Sequence, residues 1–162
     1  MYNLIVFLHV VALFGFLLAH GISVIMAFAL RRERKLERIH ALLELSSAAG
    51  GVMIGSLLLL LISGIVAAFM GNWWGYGWIW LSLGLLVAIW MVMGFFGARY
   101  YAAIRKATGF EYLERGKRHP AGEPASAEEM AALLSRTRPV LLAVTGIGGL
   151  LIILWLMMFK PF

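Results

Sequence analysis

The side chains best suited to chemistry in this chain are two histidines in its first apolar stretch, His9 and His20, eleven residues apart. At about 100° per residue that spacing lies roughly 20° from three full turns. Both imidazoles therefore project from one helix face, about 16 Å apart along the axis. Leu13, Phe16 and Ser23 share the stripe. Ionisable groups inside a membrane are costly, usually face the bundle interior, and are functional candidates for that reason. The structural alternative at either position is a neutral imidazole hydrogen-bonded to a carbonyl, a serine or a threonine of a neighbouring helix.

Counting residues inward from the outer end of each apolar run, at a common rise, shows what can lie opposite. His20 falls level with Met53 on the second run, Met93 and Gly94 on the third, and Val144 and Thr145 on the fourth. His9 falls level with Val66, Ser82 and Trp155, with Met70, Met157 and Met158 nearer the surface. Two chemistries suit such sets. A b-type haem takes a His or a His/Met axial pair, which makes His9, His20, Met53 and Met93 the candidate cofactor ligands. Cu(I) prefers imidazole and thioether donors, which makes His9, His20, Met70, Met157 and Met158 the candidate metal ligands. Methionine also fills apolar gaps without any such role. His40 stands too far toward the other end of its helix, about 15 Å or more from the level of His20, to complete a bis-histidine pair. It is expected to interact with Glu44 at i,i+4, near Arg38.

No residue set points to catalysis. Glycine-rich phosphate loops, a nucleophile elbow and the His-Glu-x-x-His spacing of zinc proteases are all missing. Cysteine and aspartate are absent altogether.

The elements that position the histidines follow from composition. Of the 162 residues 62% are hydrophobic and 14% charged, and the mean hydropathy is +0.90. Four apolar runs, about 4–30, 45–70, 78–98 and 139–159, are each long enough to cross a bilayer. The first lacks the basic start and short core of a signal peptide and is read as a retained span. The net charge of +6 is a topology signal rather than a nucleic-acid one, because 13 of the 14 Lys and Arg fall between Arg31 and Arg138, in two blocks outside the apolar runs. The turn from Gly71 to Gly77 carries no charge. By the positive-inside rule, both termini and that turn face outward. The expected fold is all-α: one integral-membrane domain over residues 1–162, an antiparallel four-helix bundle in a plasma membrane of the bacterial inner-membrane type.

Trp73, Trp74, Tyr76, Trp78 and Trp80 around that turn fit an interfacial aromatic belt, or a stacking platform for a quinone, sugar or lipid headgroup. Within the cytoplasmic loop 105–138, Thr108-Gly109 should end the third helix or its cytoplasmic extension. Ser126 and Glu129 form a capping box for a short helix over about 127–135. Thr137 is expected to cap the fourth span, with Pro139 in its first turn. His119 is expected in solvent, and Tyr112, Arg115 and Arg118 are candidates for contact with anionic lipid.

Small residues crowd the second run, where Gly51 and Gly55 form a small-xxx-small motif. Gly94, Gly97, Gly146, Gly148 and Gly149 lie on the third and fourth. Such faces let helices approach closely in lipid. They equally suit a flat ligand, a membrane-protein partner or a second copy of the chain.

The opening Phe7-Leu8-His9-Val10-Val11-Ala12-Leu13-Phe14-Gly15, followed by the basic Arg31-Arg32-Glu33-Arg34, resembles the four-span membrane proteins related to the copper-resistance D family. More distantly it is similar to the haem-associated four-span protoporphyrinogen oxidases of bacteria. The resemblance covers the whole topology and carries over one residue, His9. It implies copper handling on the one hand and a haem-linked redox role on the other. The oxidase-like members also use a basic residue deep in a later span, whereas Arg99 here stands at a span's end. Three readings result: a haem-binding redox or electron-transfer protein, a copper-handling protein using the outer face, and a non-catalytic accessory or scaffold subunit without a cofactor. An independent enzyme is the less expected case.

Overall fold

The structure is a computed structural model that describes residues 1–114 and 117–162. Arg115, one of the candidate lipid contacts, lies outside the described residues. Among the described residues, four helical stretches are long and apolar enough to cross a membrane: Tyr2–Arg32, Leu36–Met70, Gly77–Ala107 and Pro139–Phe159.

Helices α1 (Tyr2–Arg32) and α2 (Leu36–Met70) are joined by only Glu33, Arg34 and Lys35. Helix α2 extends well before the apolar run that starts at Leu45, through His40 and Glu44 and back to Leu36. Its apolar residues keep a helical spacing, and Ile39 and Leu43 are fully buried. The break between the helices comes from extended backbone at Glu33 and Lys35. The Glu33 carboxylate accepts the backbone N–H groups of Arg34 (2.9 Å) and Lys35 (3.0 Å). The Arg34 guanidinium donates to the carbonyls of Arg31 (3.2 Å) and Glu33 (2.8 Å). Both contacts satisfy groups that helix ends leave unpaired.

The third span consists of α3 (Gly77–Val92), a π-turn segment (Met93–Ala98) and α4 (Arg99–Ala107). It ends at Thr108-Gly109 as expected. Gly109 has φ +78°, and an added Cβ would meet the Gly122 carbonyl at 2.6 Å. A hairpin that the sequence reading did not contain follows, with β1 (Tyr112–Glu114) antiparallel to β2 (Lys117–His119). His119 is half-buried rather than free in solvent, because it pairs across the strands with Tyr112, ring centroids 4.9 Å apart. Helix α5 (Ala127–Ser135) carries both hydrogen bonds of its capping box. Thr137 does not cap the last span; its hydroxyl donates back to the Leu134 carbonyl at 2.7 Å. That span comprises α6 (Pro139–Ala143), a second π-turn segment (Val144–Gly148) and α7 (Gly149–Phe159).

Helix α1 packs along α2, and α3 against α7. Close approach uses Gly15, where a Cβ would meet Ser56 Oγ at 2.6 Å, and Gly149, where it would meet Ile89 Cδ1 at 2.5 Å. Gly51 and Gly55 are not used in this way. Both are exposed, with open space where a Cβ would stand, as is the space beside Gly94, Gly97 and Gly148. Two clusters tie the pairs together. At the basic end, Leu30, Ile39, Leu43, Ile104, Ala107, Met130 and Leu134 form one core. At the aromatic end, Ala68, Trp78, Ile79 and Leu156 form a smaller one. Tyr2, Trp73 and Trp78 meet there, and the backbone N–H of Trp78 donates to the Phe162 carbonyl at 3.3 Å.

Leu134 is completely buried in the basic-end core. Leu134→Ala should cost about 2–5 kcal/mol, read by unfolding in mixed micelles, whereas Ile54→Ala, 59% exposed on the apolar surface of α2, should cost far less. The Glu33 carboxyl is held below its ordinary value by the Lys35 and Arg34 backbone N–H groups, with smaller help from Arg38 and Lys35 charge. A lowered folded-state value means that the ion adds stability above the ordinary carboxylate range and loses it as pH falls through the lowered value. The stability gap between wild type and Glu33→Gln should therefore be widest near neutral pH and close on acidification, as followed by unfolding at a series of pH values.

Candidate functional site

At the aromatic end the two helix pairs enclose an apolar cavity of about 350 Å³, reached by residues from all four spans. That size is within the usual range of small-ligand sites. Val10, Leu13, Phe16, Leu57, Leu86 and Ile153 are among its aliphatic and aromatic walls. Its polar side chains are His9, Ser82, Lys160, Tyr2 and the indoles of Trp73, Trp74 and Trp78.

His9 is held firmly. Its Nδ1 lies 2.9 Å from the Leu60 carbonyl and 3.1 Å from Ser63 Oγ. A carbonyl oxygen can only accept, so Nδ1 carries the hydrogen and Nε2 the lone pair. Ser63 in turn donates to the Leu59 carbonyl at 2.6 Å, which fixes it beside the ring. Gly64 makes this arrangement possible. A Cβ there would stand 2.9 Å from His9 Cε1 and 3.3 Å from Nδ1, but 4.0 Å from Nε2. The ring thus turns its Nδ1 edge toward α2. Among the described residues Nε2 has no hydrogen-bond partner.

His20 is oriented the opposite way. It is 8% exposed, and its Nε2 is buried without a partner. That edge of the ring abuts Gly146, where an added Cβ would overlap Nε2 and Cε1 and would stand 2.6 Å from Met93 Cε. Met93 opens one π-turn segment and Gly146 lies within the other, so both irregular stretches converge on this imidazole. Irregular turns of this kind often mark functional positions. His20 also stacks on Phe16, with centroids 6.1 Å apart and planes 5° from parallel. Phe16 lines the cavity and His20 does not.

The level assigned to His20 and Met93 from sequence agrees with this meeting at Gly146. Met53 is half-buried on α2, and neither it nor Met70 lines the cavity. Met157 and Met158 do line it, together with His9. Among the described residues no three His, Cys, Asp or Glu side chains gather as a metal site. His40 donates to the Thr108 carbonyl at 3.0 Å and stacks on Phe110 at 4.0 Å, which ties α2 to the end of α4.

Lys160 was not singled out from sequence, and Trp74 was read only as part of an aromatic belt or stacking platform. Lys160 adopts a left-handed backbone with φ 47°, and its ammonium sits 4.4 Å from the centre of the Trp73 ring. The Trp74 Nε1–H is buried and unpartnered. Lys160 is the lone Lys or Arg outside the two basic blocks, which was its available signal; the orphaned indole had none. No known protein family, curated protein or solved structure matches the chain.

Gly146→Ala should destabilise the protein by about 1–3 kcal/mol through overpacking against His20 and Met93. Met93→Ala in the same chain should recover part of that loss. Unfolding of the two single variants and the double variant in micelles would measure the coupling; strict additivity would show that the two groups do not meet.

Proposed function

We propose that this protein is a four-helix protein of the plasma membrane, antiparallel and with both termini outside, that holds a b-type haem in the aromatic-end cavity and serves electron transfer as a redox protein or redox subunit. The observation that carries the reading is His9: an imidazole with its Nδ1–H spent on a carbonyl and its Nε2 unpartnered, on the wall of an apolar cavity. That is the arrangement by which proteins orient a metal-binding histidine and raise its basicity.

The remaining residues fit the group. Aliphatic and aromatic walls suit a flat macrocycle, and the Met157 or Met158 thioether provides a second soft donor on the same cavity. The buried Trp74 N–H lacks an acceptor and Lys160 brings a cation. Together they would meet the carboxylates of a haem. When bound, haem supplies a one-electron iron couple. The chain's own contribution is to fix the His9 ring through Leu60 and Gly64, to exclude water with the apolar walls, and to close the floor with Phe16 stacked on His20.

A second reading is favoured by the presence of His9, Met157 and Met158 on one cavity: Cu(I) held by imidazole and thioether, for copper handling at the outer face. Spectroscopy and metal analysis of detergent-purified protein separate the two. The haem reading expects a Soret band that His9→Ala abolishes and His20→Ala, altered beneath the floor, retains. The copper reading expects bound copper without a Soret band, lost in Met157→Ala/Met158→Ala. Colourless, metal-free protein that co-purifies with a larger complex would overturn both in favour of an accessory subunit.

A further inference from the structure

A second cavity, of about 430 Å³, lies at the opposite end of the molecule and is lined by Phe28, Arg31, Arg32, Arg34 and Pro139. It is built where α1 ends and α6 begins. Arg31 and Arg32 follow directly on Leu30, the last residue of the apolar run, so the three guanidiniums stand at the level where a bilayer's hydrocarbon gives way to headgroups.

The positive charge here is not neutralised by the protein. Among the described residues, the guanidiniums of Arg31 and Arg32 make neither a hydrogen bond nor an ion pair; the one salt bridge is Arg38 to Glu33, at 3.8 Å. Glu33, the acid in the same turn, is committed to the backbone N–H groups of Arg34 and Lys35. The C-terminal carbonyls of α1 would repel an anion, but Arg34 covers those of Arg31 and Glu33 with one N–H edge. Its guanidinium is thereby fixed at the pocket, with further donors remaining.

Toward its apolar run, each of the two helices that build the pocket carries a strip of exposed apolar side chains. Phe28 and Ile25 are 37% and 69% exposed on α1, and Val140 and Val144 are 58% and 66% exposed on the last span. A ligand that fills the pocket and lies on these strips has an oxyanion head and a hydrocarbon tail. We propose that this pocket binds the phosphate of an anionic phospholipid, with Arg31, Arg32 and Arg34 on the headgroup and an acyl chain along Ile25, Phe28, Val140 and Val144. Basic pockets between spans at a cytoplasmic surface are suited to such headgroups. The site is independent of the cavity at the aromatic end.

The test is retention and stabilisation in defined lipid. Full-length protein in detergent is mixed with micelles carrying dioleoyl-phosphatidylglycerol, with dioleoyl-phosphatidylcholine, or with sodium phosphate alone. Bound lipid and the melting temperature are then measured. Phosphatidylglycerol should be retained and raise the melting temperature; phosphatidylcholine and free phosphate should do neither. Each single change, Arg31→Gln, Arg32→Gln or Arg34→Gln, should weaken retention about fivefold, the equivalent of about 1 kcal/mol per basic residue. Arg136→Gln and Lys117→Gln remove the same charge elsewhere at this end and should leave retention unchanged. Equal stabilisation by free phosphate would overturn the lipid assignment. Equal loss in the control variants, or retention unaffected by every pocket variant, would overturn the site. Because wild type alone discriminates the three additives, a variant that fails to fold does not rescue the proposal.

Discussion

The basic-end core is the contact on which the rest of the arrangement depends. Inside a bilayer helices have no hydrophobic reason to associate, since lipid is as apolar as their side chains. At the basic end water returns, and burial of Leu30, Ile39, Leu43, Ile104, Ala107, Met130 and Leu134 regains its ordinary driving force. These residues come from α1, α2, α4 and α5, so one core joins the α1–α2 pair to the span that follows and to the helix leading into the last span. The three-residue turn at Glu33–Lys35 is part of the same device, because it sets Leu30 and Ile39 side by side. With the pairs fastened there, again where Gly146 admits His20 and Met93, and at the aromatic end by the smaller cluster of Ala68, Trp78, Ile79 and Leu156, the spans leave a cavity between these contacts.

Much of this was legible in the sequence. The four spans were plain from hydropathy, since long charge-free runs have few other stable forms. The capping box of α5 and the Gly109 stop were readable because each rests on local backbone chemistry. The start of α2 was hidden by its charges: Glu37 and Arg38 obscured a stripe of Leu36, Ile39 and Leu43 that a core at the membrane surface could bury. The hairpin at Tyr112–His119 escaped notice because three-residue strands carry almost no pattern. The small-residue motif at Gly51 and Gly55 packs on no described helix of this chain, since spacing shows that a helix face is smooth but not which surface lies on it.

The site was partly legible for the same reasons. A common rise brought His20 and Met93 to one level, because depth along parallel-lying spans is nearly a property of the chain alone. Which edge of an imidazole faces the protein is not, since it depends on a glycine many positions away. Lys160 and Trp74 stand near the ends of their spans, where a basic or aromatic residue ordinarily means only an interface. Their convergence on one cavity required the turn at 73–75 and the left-handed bend at Lys160.

The contrast between the two histidines follows from those glycines. Each imidazole on α1 lies against a glycine of another helix, and each glycine allows an approach that a methyl group would block. At His9 the approaching edge is Nδ1–Cε1, which finds the Leu60 carbonyl and leaves Nε2 without a protein partner. At His20 the approaching edge is Nε2–Cε1, which meets carbon and the Met93 methyl and finds no acceptor. A buried nitrogen without a partner carries a desolvation cost of about 1–3 kcal/mol, so the His20 contact is not there for the hydrogen bond it lacks. What it achieves is closure: it joins α1 to the π-turn segments of both later spans directly beneath Phe16, and so makes a floor. The same residue type on one helix face therefore serves two ends, a nitrogen left open at the cavity wall and a ring packed shut below it.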